Sequence, residues 1–178
     1  MSDQFLKKKS ASIAVCMVVM AVAGASTVTA RAEDHEEREF KNTVELFLGA
    51  VSETDPTETG AALGIEYNRR LSRLWSIGIE GAEFSTTDTR RDWVLLVPVY
   101  LHPAGGLSLK VAPGVEHGTV VRDEGGEPED EGREFLFRIG VGWEFEIGRR
   151  WSATPEVNLD FVDGRRTWVY GVSLGVRF

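Results

Sequence analysis

Eight carboxylates and three cations recur at alternate positions inside otherwise apolar segments: Glu45, Glu66, Glu80, Glu116, Glu144, Glu146, Glu156 and Asp160 against Lys110, Arg138 and Arg177. Charges so placed can pass ions or protons along a path, or they can neutralise one another as fixed pairs. A charge taken out of water alone is costly, so the expectation is a hydrogen-bonded network that includes water. Its principal members are Glu80, Lys110, Glu116, Arg138 and Glu156. Arg138, near the middle of its segment, is expected to pair with Glu80 or Glu156 and to fill the interior. An ion or proton path is the alternative use of the same residues. A second acidic group, Asp123, Glu124, Glu127, Glu129, Asp130 and Glu131, lies among glycines and Pro128. Its oxygens suit calcium or magnesium, but the spacing is not that of an EF-hand, and a solvated loop is the simpler reading. His35, His102 and His117 have no metal-like spacing. No metal or cofactor is assigned.

The elements that must carry these charges are strands. From Thr167 to Phe178 the chain alternates strictly: Trp168, Tyr170, Val172, Leu174, Val176 and Phe178 share one face, and Val169, Gly171, Ser173, Gly175 and Arg177 share the other. An apolar and aromatic row backed by small or charged residues suits a strand between lipid and a narrow polar interior. Seven further segments repeat the pattern: 42–51, 60–67, 73–84, 92–101, 107–120, 133–147 and 151–162. The clearest is 133–147, with Phe135, Phe137, Ile139, Val141, Trp143 and Phe145 opposed to Arg138, Gly140, Gly142, Glu144 and Glu146. Segment 92–101 is apolar on both faces, which leaves its orientation open. Pro113 removes a ladder donor, and a local bulge is expected there. Residues 68–72, 103–106 and 148–150 read as short turns. The loops that start near Ser52, Ser85, Val121 and Asp163 are expected at the opposite end, facing outward from the cell, with Asp163 to Arg166 leading into the last strand.

A soluble barrel also alternates, with its charges in water. The glycines argue otherwise, because Gly64, Gly78, Gly114, Gly140, Gly142, Gly171 and Gly175 all lie on the polar face. A water-exposed face has no steric need for glycine, whereas the lumen of eight strands does. Tyr67, Trp75, Trp93, Tyr100, Trp143 and Trp151 at segment ends are expected to form interfacial girdles.

Lys7, Lys8 and Lys9, the apolar stretch Ala11 to Ala25 and the A-x-A pattern Ala30-Arg31-Ala32 predict a cleaved signal peptide over 1–32. Residues 33–41 form a charged lead-in, and 42–178 the barrel. Cys16 falls within the signal, so the mature fold uses no disulfide. The formal charge of −8 becomes more negative once the signal lysines are removed, which disfavours nucleic acid as a partner.

The segment Trp168 to Phe178 resembles the C-terminal assembly signal of bacterial outer-membrane barrels, and the layout of the mature chain is similar to the outer membrane protein A barrel domain and its X and W relatives. The resemblance implies an all-β fold, an eight-stranded antiparallel up-and-down transmembrane β-barrel in the outer membrane. It further implies contact with outer-membrane lipid and lipopolysaccharide, insertion by the barrel-assembly machinery, and a monomer. The expected role is non-catalytic, structural or interactive in the envelope, with a plugged lumen. Most outer loops are shorter here than in those relatives, which speaks against adhesion. Two alternatives stay open. Some small outer-membrane barrels are lipid A hydrolases with a Ser and His pair on the lipid-facing wall; His117 is outward near the outer leaflet, but Trp93, Leu95, Phe135 and Phe137 around it offer no serine. The other is a soluble periplasmic binder whose apolar rows line a cavity.

Overall fold

The computed structural model describes residues 40–53, 59–86, 90–120 and 129–178. The expected signal peptide, the lead-in up to residue 39 and most of the acidic 121–132 segment lie outside the described residues. Within them, alternating sequence becomes ten strands: β1 (Asn42–Glu53), β2 (Thr59–Arg70), β3 (Trp75–Thr86), β4 (Arg90–Leu96), β5 (Val99–Leu101), β6 (Leu107–Val120), β7 (Glu129–Trp143), β8 (Phe145–Ile147), β9 (Trp151–Val162) and β10 (Arg165–Arg177). Each pairs antiparallel with its neighbour in the wall, and β1 pairs with β10 from Thr43↔Arg177 to Glu53↔Thr167. That seam closes the sheet into a barrel and leaves no free edge. β4 with β5 forms one stave and β7 with β8 another, so the wall has eight staves.

Both interrupted staves face a proline. Pro113 on β6 lies opposite the break between β4 and β5, where Val97 still donates to the Pro113 carbonyl at 3.0 Å. Pro155 on β9 lies opposite the break between β7 and β8. Each proline removes one ladder donor, Pro98 within the first break removes another, and the pairing lapses locally there. The bulge expected at Pro113 is therefore absent; β6 and β7 stay in register past it, and their irregularity comes at Gly118/Thr119. A further bulge at Gly81/Glu83 ends the simple alternation expected through Ala82.

Sidedness follows the pleat. Val44, Leu46, Leu48, Leu63, Ile65, Ile79, Val111, Phe135, Val141 and Leu174 are exposed around the wall. Their neighbours Glu66, Glu80, Lys110, Arg138, Glu156 and Asp160 are buried within it. Soluble proteins rarely expose contiguous apolar patches beyond a few hundred Å², and here the apolar surface encircles the molecule. The rows are outside, not lining a cavity, so the soluble-binder alternative fails.

Segment 92–101 also takes a definite side. Asp92, Val94, Leu96 and Tyr100 point inward, while Leu95 and Val97 face out. Tyr100 is thus a lumen residue, not a girdle member. Trp75, Trp143 and Trp151 are exposed at the short-turn end, and Trp168 toward the other. The first turn is Leu71 to Leu74 instead of 68–72, and β7 begins at Glu129, inside the segment read as an acidic loop. Asp163 and Gly164, with φ of 41° and 81°, form a two-residue hairpin, and Arg165 and Arg166 of the expected connection already belong to β10. Positive φ at both central residues matches the right-handed strand twist.

Candidate functional site

Five staves aim their charges at the middle of the lumen: Glu66 comes from β2, Glu80 from β3, and Glu156 and Asp160 from β9. β6 brings Lys110, whose Nζ lies 3.0 Å from Glu156 Oε2, 3.3 Å from Glu80 Oε2 and 3.9 Å from Glu66 Oε2. β7 brings Arg138, only 1% exposed. Its Nε donates to Asp160 Oδ1 at 2.6 Å and its Nη2 to Asp160 Oδ2 at 2.7 Å. Its Nη1 donates to Glu80 Oε1. The Asp160 contact is a two-pronged guanidinium–carboxylate pair, a geometry with fixed direction as well as charge. It arises because Arg138 and Asp160 are register partners on β7 and β9. Glu80 bridges the two cations.

Neutral donors complete the carboxylates. Tyr100 Oη donates to Glu66 Oε2 at 2.6 Å, Asn158 Nδ2 donates to Glu156 Oε2 at 3.1 Å, and Ser173 Oγ donates to Glu156 Oε1. Glu66, Glu80, Glu156 and Asp160 outnumber Lys110 and Arg138, and these hydroxyl and amide groups supply hydrogen bonds that the cations do not. Backbone space is equally tight. A Cβ on Gly140 would lie 2.0 Å from Asn158 Oδ1, so a larger residue there displaces the side chain that serves Glu156.

The five residues singled out from the sequence do not form one cluster. Glu80, Lys110, Arg138 and Glu156 come together, but Arg138 takes Asp160 and Glu80, and Glu156 goes to Lys110. Glu116 accepts from Arg165 Nη2 at 3.0 Å, and the same nitrogen reaches Glu134 at 2.8 Å. At the other end Arg177 holds Glu144 and Glu146, the latter at 2.8 Å. Arg165 escapes the sequence reading because it was placed in a turn rather than on β10. Tyr100 escapes because both faces of its segment are apolar.

Two small cavities lie within this array. One, about 10 Å³, is lined by Glu45, Glu66, Glu80, Lys110, Arg138 and Glu156. The other, also about 10 Å³, is lined by Val51, Asp92, Val94, Glu116, Arg138 and Asp160. Each has room for about one water, and Arg138 borders both. Beyond Arg138, Val94, Leu96, Ala112, Leu136 and Val162 pack into a buried apolar cluster, and Val51, Ala62 and Val169 into a second joined by Phe47.

The remaining sequence candidates stand apart from this array. Of the apolar row, Trp168, Tyr170, Val172, Leu174 and Val176 lie on the outer face of β10, whose edge is zipped to β1, and Phe178 directly follows the strand; Asn42 and Phe178 exchange backbone hydrogen bonds of 3.2 and 2.9 Å. His117 has Trp93 and Arg133 as register partners, and its ring centroid is 5.6 Å from that of Trp93. A Ser–His contact does occur elsewhere, between buried Ser76 Oγ and His102 Nε2 at 2.8 Å, where β3 meets β5. No group of three or more metal-ligating side chains occurs among the described residues.

Solved structures share this architecture. The N-terminal barrel domain of OprF from Pseudomonas aeruginosa is similar over 79% of this chain and 100% of its own, with a TM-score of 0.57 and 14% identity. Ail, the attachment invasion locus protein of Yersinia pestis, is similar over 79% of this chain and 99% of its own, with a TM-score of 0.60 and 12% identity. The chain has the fold of a small outer-membrane β-barrel. Neisserial surface protein A aligns over 78% of it and 97% of its own length, at a TM-score of 0.62 and 10% identity. No protein-family model and no curated protein sequence matches. An apolar exterior, a charged interior and closed backbone pairing are what a strand-built membrane protein requires.

Proposed function

We propose that this chain is a non-catalytic barrel of the bacterial outer membrane, with a sealed lumen and a structural or interaction role in the envelope. The observation that carries this reading is Arg138, buried and held by Asp160 and Glu80 between two one-water cavities. A continuous ion path needs connected water; Arg138 and its two carboxylate partners stand between the two cavities, and Val94, Leu96, Ala112, Leu136 and Val162 pack beside the outer one. The barrel acts as a monomer inserted by the barrel-assembly machinery, and its wall contacts outer-membrane lipid and lipopolysaccharide. The apolar exterior supports the lipid contact, as does a relative in fold, Ail, whose backbone structure is known in a phospholipid bilayer nanodisc.

The test has two readings. Cells expressing the full chain are fractionated, and the outer-membrane fraction is run on a denaturing gel with and without boiling. Faster migration before boiling is expected. The purified protein in planar bilayers is then expected to give no steady conductance. Stepwise ion currents would overturn the sealed lumen, and soluble periplasmic protein without a heat shift would overturn the membrane reading.

A further inference from the structure

The two ends of the barrel differ in charge. At the short-turn end, Lys41, Arg69, Arg73, Arg149 and Arg150 are exposed. Arg69 is the register partner of Asn42, the Arg70 N–H donates to the Lys41 carbonyl at 2.8 Å, and the Arg177 N–H donates to the Arg150 carbonyl at 2.7 Å. These contacts set the cations along a continuous arc from the start of β9, past the β10–β1 seam, to the turn between β2 and β3. Glu144 and Glu146, the acids nearest this end on β7 and β8, are both bonded by Arg177. Leu71, Leu74, Trp75 and Trp151 are exposed beside the arc. At the opposite end the described cations Arg91, Arg133 and Arg166 are interspersed with Glu53, Glu116, Glu134 and Asp163.

We propose that the short-turn end is a docking surface for the anionic phospholipid headgroups of the periplasmic leaflet. The inference rests on the outer-membrane reading above; barrels of that membrane carry their short turns on the periplasmic side. Arginine matches phosphate in charge and in its planar donor fork. The exposed tryptophans and leucines beside it suit the boundary between headgroups and acyl chains, which makes a bilayer lipid the occupant instead of a free anion. The arc thereby fixes the depth and orientation of the barrel from its inner rim.

The test uses the full chain purified from membranes and reconstituted in phosphatidylcholine vesicles that contain a minor share of brominated phosphatidylglycerol or brominated phosphatidylcholine. Tryptophan emission reports lipids at the wall, with Trp75, Trp143 and Trp151 at this rim. Brominated phosphatidylglycerol is expected to quench more strongly, and salt should reduce the excess. Replacing Arg69, Arg73, Arg149 and Arg150 by Gln should abolish it, at about five-fold in apparent association per arginine. Lys at the same four positions should retain most of it, and Arg91→Gln with Arg133→Gln, at the other end, should leave it unchanged. The heat shift on gels verifies that each variant is folded; if the quadruple variant is not, Arg73→Gln and Arg149→Gln are read singly and should each weaken the excess. Equal quenching by both lipids, or an excess that survives loss of the arginines, overturns the docking surface alone. Absence of quenching by either lipid overturns the membrane reading with it.

Discussion

The lumen has two halves built on different physics. Around and toward the short-turn side of Arg138 it is ionic, with Lys110 and Arg138 set among Glu66, Glu80, Glu156 and Asp160. On the other side its core is an apolar cluster, Leu96 and Leu136 fully buried among Val94, Ala112 and Val162, with Asp92 and Glu116 beside it toward the rim. An apolar cluster tolerates local rearrangement because its contacts are numerous and non-directional. A buried ion network does not, since each partner removed strands another charge. The ionic half is thus expected to fix one arrangement of the strands, and the apolar half to keep water from it.

Removal of Arg138 should break this contrast most severely. Arg138→Met leaves Asp160 and Glu80 facing each other without their guanidinium, and the expected loss is about 3–5 kcal/mol in urea unfolding followed by gel mobility. A loss under about 1 kcal/mol would show that the ionic half is soft. Adding Asp160→Asn should recover part of the loss, because it removes one stranded charge. In the apolar half, Leu136→Ala is expected to cost about 2–4 kcal/mol through lost burial and a residual cavity, without admitting ions in planar bilayers. Conductance in this variant would mean that the apolar half, not Arg138, is the seal.

Gly140→Ala sharpens the comparison at the border of the ionic half. The new methyl meets the Asn158 amide, a side chain that can move, so a cost of about 1–3 kcal/mol is expected. Pairing it with Asn158→Ala should restore much of that if the clash is the cause, and failure to do so would place the strain in the backbone. Smallest is Arg165→Gln at the rim, where the pairs with Glu116 and Glu134 are partly in water; about 0.2–1 kcal/mol is expected. A larger measured loss would extend the ionic core to the rim.

Much of the wall was legible in the sequence because its period of two coincides with a change of environment at each step. β6, β7, β9 and β10 show it, and their outward and inward residues fall where the alternation puts them. The fourth stave was not legible, since Val94 and Leu96 inside and Leu95 and Val97 outside are chemically alike. At Asp163-Gly164 the sequence carries a legible turn signal, but only the pairing of Arg165 with Val162 shows that the turn is two residues long. Pro113 suggests a bulge because a sequence does not show what lies opposite; the facing stave is itself interrupted at Pro98, and the missing donor falls at that break.

Composition and alternation by themselves determined which side chains could face lipid and which had to be enclosed, because a strand repeats every second residue whatever its neighbours. They also determined that the enclosed set was charged and rich in glycine. Only the tertiary structure decided the pairing within that set. Arg138 meets Glu80, one of its two expected partners, and adds Asp160 instead of Glu156, and Tyr100 meets Glu66, because barrel closure fixes the register between staves and the register fixes which charges share a height. Charge partners separated by tens of residues leave no local mark on the chain, and their distances exist only once the wall has closed.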